Sequence, residues 1–347
     1  MALAAVSAFV ICWDARPIAA RQSGAAFLRI SPSARSYSLG QSQGITALGA
    51  QSLGANPANL GLINGRLEFF TSYAALAGGA QYQHLAAAMT HQPVLGIDSV
   101  GVSLTRLSVG SLETVDGAGA RTGGSFEASD MAISAALSTA LTAGLRVGAA
   151  AKILRSQIAQ YRSNAALAGD FGLTYTMARF SRPISIGMSV THMGQGIKFI
   201  EQRDPLPTAI NCGMALPVGM MTMIAEVNRH LEDRMTEVGT GLEFNVGPMA
   251  FRAGYLVQDK LGNLASKNQT GAARFFDGIS GGLGLRVKAL RIDYAISQQA
   301  IEFGSTHRLS LTLQWGRKAD VRKEAAAPDW RAQPDRSDWM IRSLGSY

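Results

Sequence analysis

From Leu67 to Trp315 the chain alternates apolar with small or polar residues, and this period of two constrains the fold more than any other feature. Side chains point to opposite faces along a strand, so each run has one apolar and one polar face. Leu290, Ile292, Tyr294 and Ile296 oppose Arg291, Asp293 and Ser297, while Leu309, Leu311, Leu313 and Trp315 oppose Arg308, Ser310, Thr312 and Gln314. Val238, Leu242 and Phe244 oppose Glu243 and Asn245, and Ile184, Ile186, Met188 and Val190 oppose Ser185, Ser189 and Thr191. Fourteen such segments begin near Leu67, Ala80, Asp98, Glu127, Leu145, Asn164, Ile184, Pro207, Met220, Glu237, Met249, Asp277, Leu290 and Thr306. Most run about ten residues, the length of a tilted strand that crosses a bilayer.

The connections sharpen this reading. Long or polar ones (Gly110 to Ser125, Gln157 to Ser163, Gly194 to Leu206, Gln258 to Phe276) fall on one end. Tight ones (Thr142 to Gly144, Pro217 to Gly219, Gly247-Pro248, Lys288-Ala289) fall on the other, and Gly78-Gly79 breaks the pattern by being tight on the long side. Long outer loops and short periplasmic turns are the habit of outer-membrane barrels. Charged residues are only 16% of the chain against 47% hydrophobic, too few charges for the outer faces of a soluble sandwich of this size. The expected fold is all-β: a 14-stranded antiparallel transmembrane β-barrel, residues 67–315, in the outer membrane with both termini periplasmic. Its first partner is then outer-membrane lipid.

Residues 1–20 read as an export signal, with an apolar core from Leu3 to Trp13 and small residues at Ile18-Ala19-Ala20. Residues 21–66 are rich in Gly, Ala and Ser and do not alternate. Ala34, Leu39, Ile45, Leu48, Leu53, Leu60 and Ile63 need burial, and the lumen is the nearest enclosure, so this segment is expected to form a hatch or plug. Asn56-Pro57 is expected to end its helical part and turn the chain toward the first strand. Arg35 has two candidate partners in the lumen, Asp293 and Glu243, and the sequence does not choose between them. Residues 316–347 carry both charge signs, two prolines and two tryptophans, and read as a flexible periplasmic tail.

The segment Ser33 to Gly40, followed by Thr46-Ala47-Leu48 and Asn56-Pro57-Ala58-Asn59-Leu60, resembles the N-terminal signature of the PorV/PorQ family within the FadL-like barrels. Gly241 to Phe244, Arg252 to Tyr255, Gly281 to Gly284, Asp293 to Ala295 and Thr306 to Leu311 stand in the order of that family's last strands. The resemblance covers about residues 33 to 315 and departs at Asn59, where a glycine is usual, and after Trp315, where the family ends. It implies a luminal hatch whose motif residues are Arg35, Gly40, Asn56, Pro57 and Ala58. It implies either a carrier for exported proteins beside a type IX-like secretion translocon, the expected role, or a transporter of hydrophobic small molecules. A structural barrel of unassigned role is the third option.

Alternation places Arg146, Lys152, Asp170, Glu226, Glu243, Arg252, Arg286, Arg291, Asp293 and Arg308 in the lumen, where a salt-bridge lattice holding the hatch is the expected role. No cofactor, metal site or enzymatic activity is expected: the five histidines are scattered, and Cys212 reads as a small wall residue. The net charge of +8 is dispersed, which argues against nucleic acid as a partner.

Overall fold

The computed structural model describes residues 23–63, 65–115, 121–177, 183–199, 201, 203–260, 278–298 and 305–316. The export signal, nearly all of the tail and most of the connection from Gln258 to Phe276 lie outside these residues. The wall consists of β1 (Leu67–Ala75), β2 (Ala80–Val94), β3 (Ile97–Val115), β4 (Arg121–Thr142), β5 (Leu145–Ile158), β6 (Ala166–Met177) and β7 (Ile184–Gly194). It continues with β8 (Ala209–Val218), β9 (Met221–His230), β10 (Met235–Val246), β11 (Met249–Lys260), β12 (Ile279–Val287), β13 (Leu290–Gln298) and β14 (Ser305–Trp315). Each strand pairs antiparallel with its neighbours in sequence, and β1 pairs with β14 from Leu67↔Trp315 to Ala75↔His307, so the sheet closes. Closure removes both edges, which hydrocarbon would leave unsatisfied.

Alternation along these strands becomes inside and outside. On β14, Thr306, Arg308, Ser310 and Thr312 are buried while Leu309, Leu313 and Trp315 are exposed. The exposed face collects Phe69, Leu85, Ile133, Ile153, Leu242, Phe251 and Leu283 among many others, an apolar band around the barrel. Outward charges such as Arg106 and Arg155 stand toward one rim.

That rim carries the connections 76–79, 116–120, 159–165, 195–208, 231–234, 261–278 and 299–304, and is here called the loop rim. The opposite turn rim carries the starts of β1 and β3, the turns at Gly144, Gly219 and Gly247, and the end of β14. The connection expected from Gly110 to Ser125 is shorter than the sequence suggested. β3 and β4 continue as a paired hairpin, with Leu112↔Phe126 and Glu113↔Ser125, past the membrane-length portion. Outside the membrane a ladder needs only backbone hydrogen bonds, so its Gly- and Ser-rich residues show no alternation to read.

The hatch begins at one rim and joins the wall at the other. The described chain begins at the loop rim, where the Ser23 amide donates to Asp233 Oδ1 (2.8 Å) and the Gly24 amide to the Pro205 carbonyl (2.8 Å). It then descends through the lumen to Arg66, whose amide donates to Trp315 O at the turn rim (3.0 Å). Long-range pairing of this kind leaves no local sequence signal.

Inverting a mid-depth outward residue tests the register. Leu242→Arg places a cation on the lipid face at a cost of about 2–4 kcal/mol and is expected to reduce the heat-modifiable folded species. Leu95→Arg, in an exposed turn at 97% accessibility, is expected to fold as the parent does. Equal folding yields in an electrophoretic assay would show that the outward face is misassigned.

Candidate functional site

The segment from Ser23 to Ile63 fills the lumen as a series of single turns: Ala26–Arg29, Ala34–Tyr37, Gln43–Thr46, Gly49–Ser52 and Pro57–Gly61. Its glycines and serines interrupt any longer helix, and the last four turns are capped by side chains of the wall or of the plug itself. Ser33 Oγ accepts the Ser36 amide. Glu226 on β9 accepts the Gly44 and Ile45 amides at 3.0 and 2.9 Å, and Glu68 on β1 accepts the Ala50 amide at 2.9 Å. Asn56 does not end the helical part, as the sequence suggested; its Oδ1 accepts the Ala58 amide and opens the turn that follows Pro57. Extended backbone before a proline suits a cap as well as an exit. Asn59, where the resembled family has glycine, donates to the Gly44 and Ala47 carbonyls and accepts from Thr174 at 2.7 Å, so it ties two plug turns to β6.

The plug sits on a belt of wall glycines. A Cβ at Gly148 would stand 2.4 Å from Pro57, at Gly172 2.0 Å from Asn56, at Gly254 2.2 Å from Gly40 and at Gly282 2.5 Å from Ser38. Gly40 has φ +66, and a Cβ there would meet two wall carbonyls at 2.6 Å, so both conformation and space require glycine. Of the glycine run 281–284, only Gly282 seats the plug; Gly284 makes room for Arg252 and Asp293.

An ionic chain then joins plug to wall. Arg35 grips Glu243 on β10 with two bonds, Nε to Oε2 at 2.7 Å and Nη2 to Oε1 at 2.8 Å, and Arg35 Nη1 donates to the Thr46 carbonyl. Of its two candidate partners the structure therefore selects Glu243. Arg252 bonds the same Glu243 at 2.6 Å and reaches Asp293 at 2.9 Å, and Arg291 holds Asp293 at 2.8 Å. Arg286 follows at the open turn rim. Arg146 pairs separately with Asp98 at 2.5 Å and donates to the Ala58 carbonyl.

Arg308 is arranged differently. It is 1% exposed, its Nε and Nη1 have no hydrogen-bond partner among the described residues, and its guanidinium lies over the Tyr37 ring at 4.3 Å and the Tyr82 ring at 5.7 Å. Cation–π contact replaces a carboxylate here. Higher in the lumen, Lys152 meets Asp170 at 2.6 Å and His192 at 3.0 Å. Asp170 faces a bulge in which Thr191 and His192 oppose one residue, with His192 at φ 60 and its amide donating to Asp170 at 2.8 Å.

Sequence reading missed Glu68, Asp98, Tyr37, Tyr82 and Asp233 as contributors. The inward parity of Glu68 with Phe70 and Ser72 was available in β1; Asp233 sits in a turn, where parity says nothing.

Toward the loop rim the lumen becomes apolar. Phe27, Ala132, Leu154, Ala166, Ala168, Ile197 and Leu206 form one buried cluster with Leu28, Ile30, Leu107 and Phe199 against it. The connection after β7 folds inward to supply Ile197 and Leu206, pinned by a two-residue ladder between Ile197–Lys198 and Arg203–Asp204. A void of about 20 Å³ between Leu28, Pro32, Leu53, Tyr82 and His84 has room for about one water. Among the described residues no group of three or more His, Cys, Asp or Glu is placed to hold a metal.

Two measurements probe the plug. Arg35→Ala leaves Glu243 and Arg252 buried without their third partner and is expected to destabilise the plugged barrel by about 3–5 kcal/mol, read as a lower conversion temperature in heat-modifiable electrophoresis; an unchanged temperature would remove the ionic chain from the account. At the loop rim, burial alone would raise the Asp233 carboxyl. The amide and hydroxyl of Ser23 and the guanidinium of Arg29 outweigh it and hold the carboxyl below its usual 3.8. A depressed folded pKa stabilises above the unfolded value and is lost as pH falls through the folded one. Hydrogen-exchange protection of the Ser23 amide is therefore expected to be full above about pH 4 and to weaken as pH falls through the depressed folded value, and Asp233→Asn to lower it, while the apolar contacts of Phe27 hold the turn that follows.

No family model and no curated protein matches the sequence. Solved structures do match. The CymD monoaromatic hydrocarbon channel aligns over 83% of this chain and 99% of its own at 11% identity, with a TM-score of 0.58. The Pseudomonas putida toluene transporter TodX aligns over 80% and 96% at 12% identity, TM-score 0.56, and a Pseudomonas aeruginosa FadL homologue over 82% and 98% at 11% identity, TM-score 0.53. At such identities the likeness is one of architecture, and the chain has the fold of these FadL-like barrels: a closed wall of fourteen antiparallel strands.

Proposed function

We propose that this protein is an outer-membrane channel that admits small apolar molecules, with the loop rim outside and the turn rim in the periplasm. The observation that carries the reading is the apolar lining beneath the loop rim, where Phe27, Leu154, Ile197 and Leu206 meet inside the barrel. A lumen that passes polar solutes is polar and water-filled; side chains of this kind inside the mouth offer an apolar solute what bulk water does not. The matched hydrocarbon channels support the same reading through their fold. The secretion-carrier role implied by the PorV/PorQ resemblance has no such support. Passage requires movement of residues 23–32, since the void beside them is too small for a solute. The channel performs no chemistry on what it passes.

Uptake of labelled toluene and of a small sugar into cells producing the protein in a low-permeability host tests this. Toluene uptake is expected to rise and sugar uptake to stay at background, and Ile197→Asp is expected to lower the toluene rate. Unchanged toluene uptake, or a sugar-conducting pore, would sink the reading.

A further inference from the structure

Beneath the apolar mouth, the small void beside the plug has two unlike sides. Leu28, Ile30 and Pro32 of the plug cover one, and the wall brings His84, Lys152 and His192 to the other. Lys152 is already matched: its Nζ lies 2.6 Å from Asp170 and 3.0 Å from His192 Nδ1. His84 is not. Register sets it directly opposite Thr105 on β3, and its Nδ1 shares a hydrogen bond of 2.8 Å with Thr105 Oγ1. That bond and the Phe70 ring, 5.8 Å away between centroids, hold the imidazole in place. Its Nε2 has no hydrogen-bond partner among the described residues, although the side chain is only 2% exposed. A buried polar atom in that state is unfavourable, and a molecule that reaches it gains accordingly.

We propose that the space opened here when Leu28, Ile30 and Pro32 withdraw is the discriminating subsite of the channel, and that His84 Nε2 selects a small aromatic ring bearing one neutral hydroxyl, a phenol. The inference rests on the channel reading and narrows its solute. A hydroxyl both donates and accepts, so it satisfies Nε2 in either tautomer of the ring, whereas an ether or a ketone satisfies only one. The Tyr82 ring lines the same space and favours an aromatic body, which replaces the apolar contacts of Leu28 and Ile30. A carboxylate is disfavoured, because the cation in the lining is already balanced by Asp170 and a second buried anion has no counter-charge there.

The test compares p-cresol with toluene, which differ by one hydroxyl. The full chain is purified in a neutral detergent, and binding is followed by calorimetry with the heats of empty micelles subtracted. p-Cresol is expected to bind more tightly than toluene, although it is the better hydrated of the two. His84→Phe keeps a ring but removes the nitrogen, and is expected to lower the ratio of the two affinities about tenfold. His84→Gln, which returns a polar nitrogen to that position, is expected to restore part of the ratio. Heat-modifiable migration checks the folding of each variant, and the parent's own preference decides if neither folds. p-Cresol bound no better than toluene, or an unchanged ratio in folded His84→Phe, overturns the subsite and leaves the channel reading standing. Preference for p-toluate over p-cresol overturns the hydroxyl assignment. Binding of neither molecule overturns the subsite as well, and the uptake of toluene by cells then judges the channel separately.

Discussion

A backbone amide facing hydrocarbon has no water to turn to, and the rest of this structure follows from that constraint. It forces the ladder of β1 against β14 and so closes the wall. Closure assigns every second side chain to the lumen, which gathers Glu68, Glu226, Glu243, Arg252, Asp293 and Arg308 away from lipid. Those groups then need partners in a space largely shut off from solvent. The plug supplies them: amides of Gly44, Ile45 and Ala50 satisfy carboxylates, Arg35 completes Glu243, and Tyr37 covers Arg308. In return the wall caps single turns that are too short to persist alone. Wall and plug are therefore two halves of one polar account, joined where the wall has no Cβ at Gly148, Gly172 and Gly254.

Much of the wall was legible because the bilayer imposes a strict period. Strand starts read at Leu67, Ala80, Leu145, Ile184, Met249 and Leu290 coincide with the observed ones. The β4 start misses by six residues, Glu127 against Arg121, because that ladder leaves the membrane and the period relaxes with it. The inward parity of Arg146, Asp170, Glu226, Glu243, Arg252, Arg291, Asp293 and Arg308 could be read for the same reason. Their partners could not. Arg35 meets Glu243 across 208 positions of sequence, and either Asp293 or Glu243 satisfies the parity rule. The rim at which the plug begins was equally hidden, since Ser23 and Asp233 are 210 positions apart and neither lies in a periodic segment.

The lumen is held unevenly along its length, and this gives the plug a strong end and a weak one. On the turn side the plug is fixed by Arg35 and Glu243, whose side chains are 2% and 3% exposed. Removing either partner there strands a buried charge. On the loop side the tie is Arg29 to Asp233, with the arginine side chain 33% exposed, and pairs screened to that degree contribute little. The remaining contacts around Phe27 are apolar and non-directional, so they can be exchanged for contacts with an apolar solute at small net cost. Under the proposed channel function, a solute entering at the loop rim meets the weak end of the plug first. The segment 23–32 can yield while Arg35, Gly40 and the turns at 43–61 keep their seats. Opening by release of the whole plug would have to break the ionic chain and expose several buried charges at once, a far larger cost for the same passage.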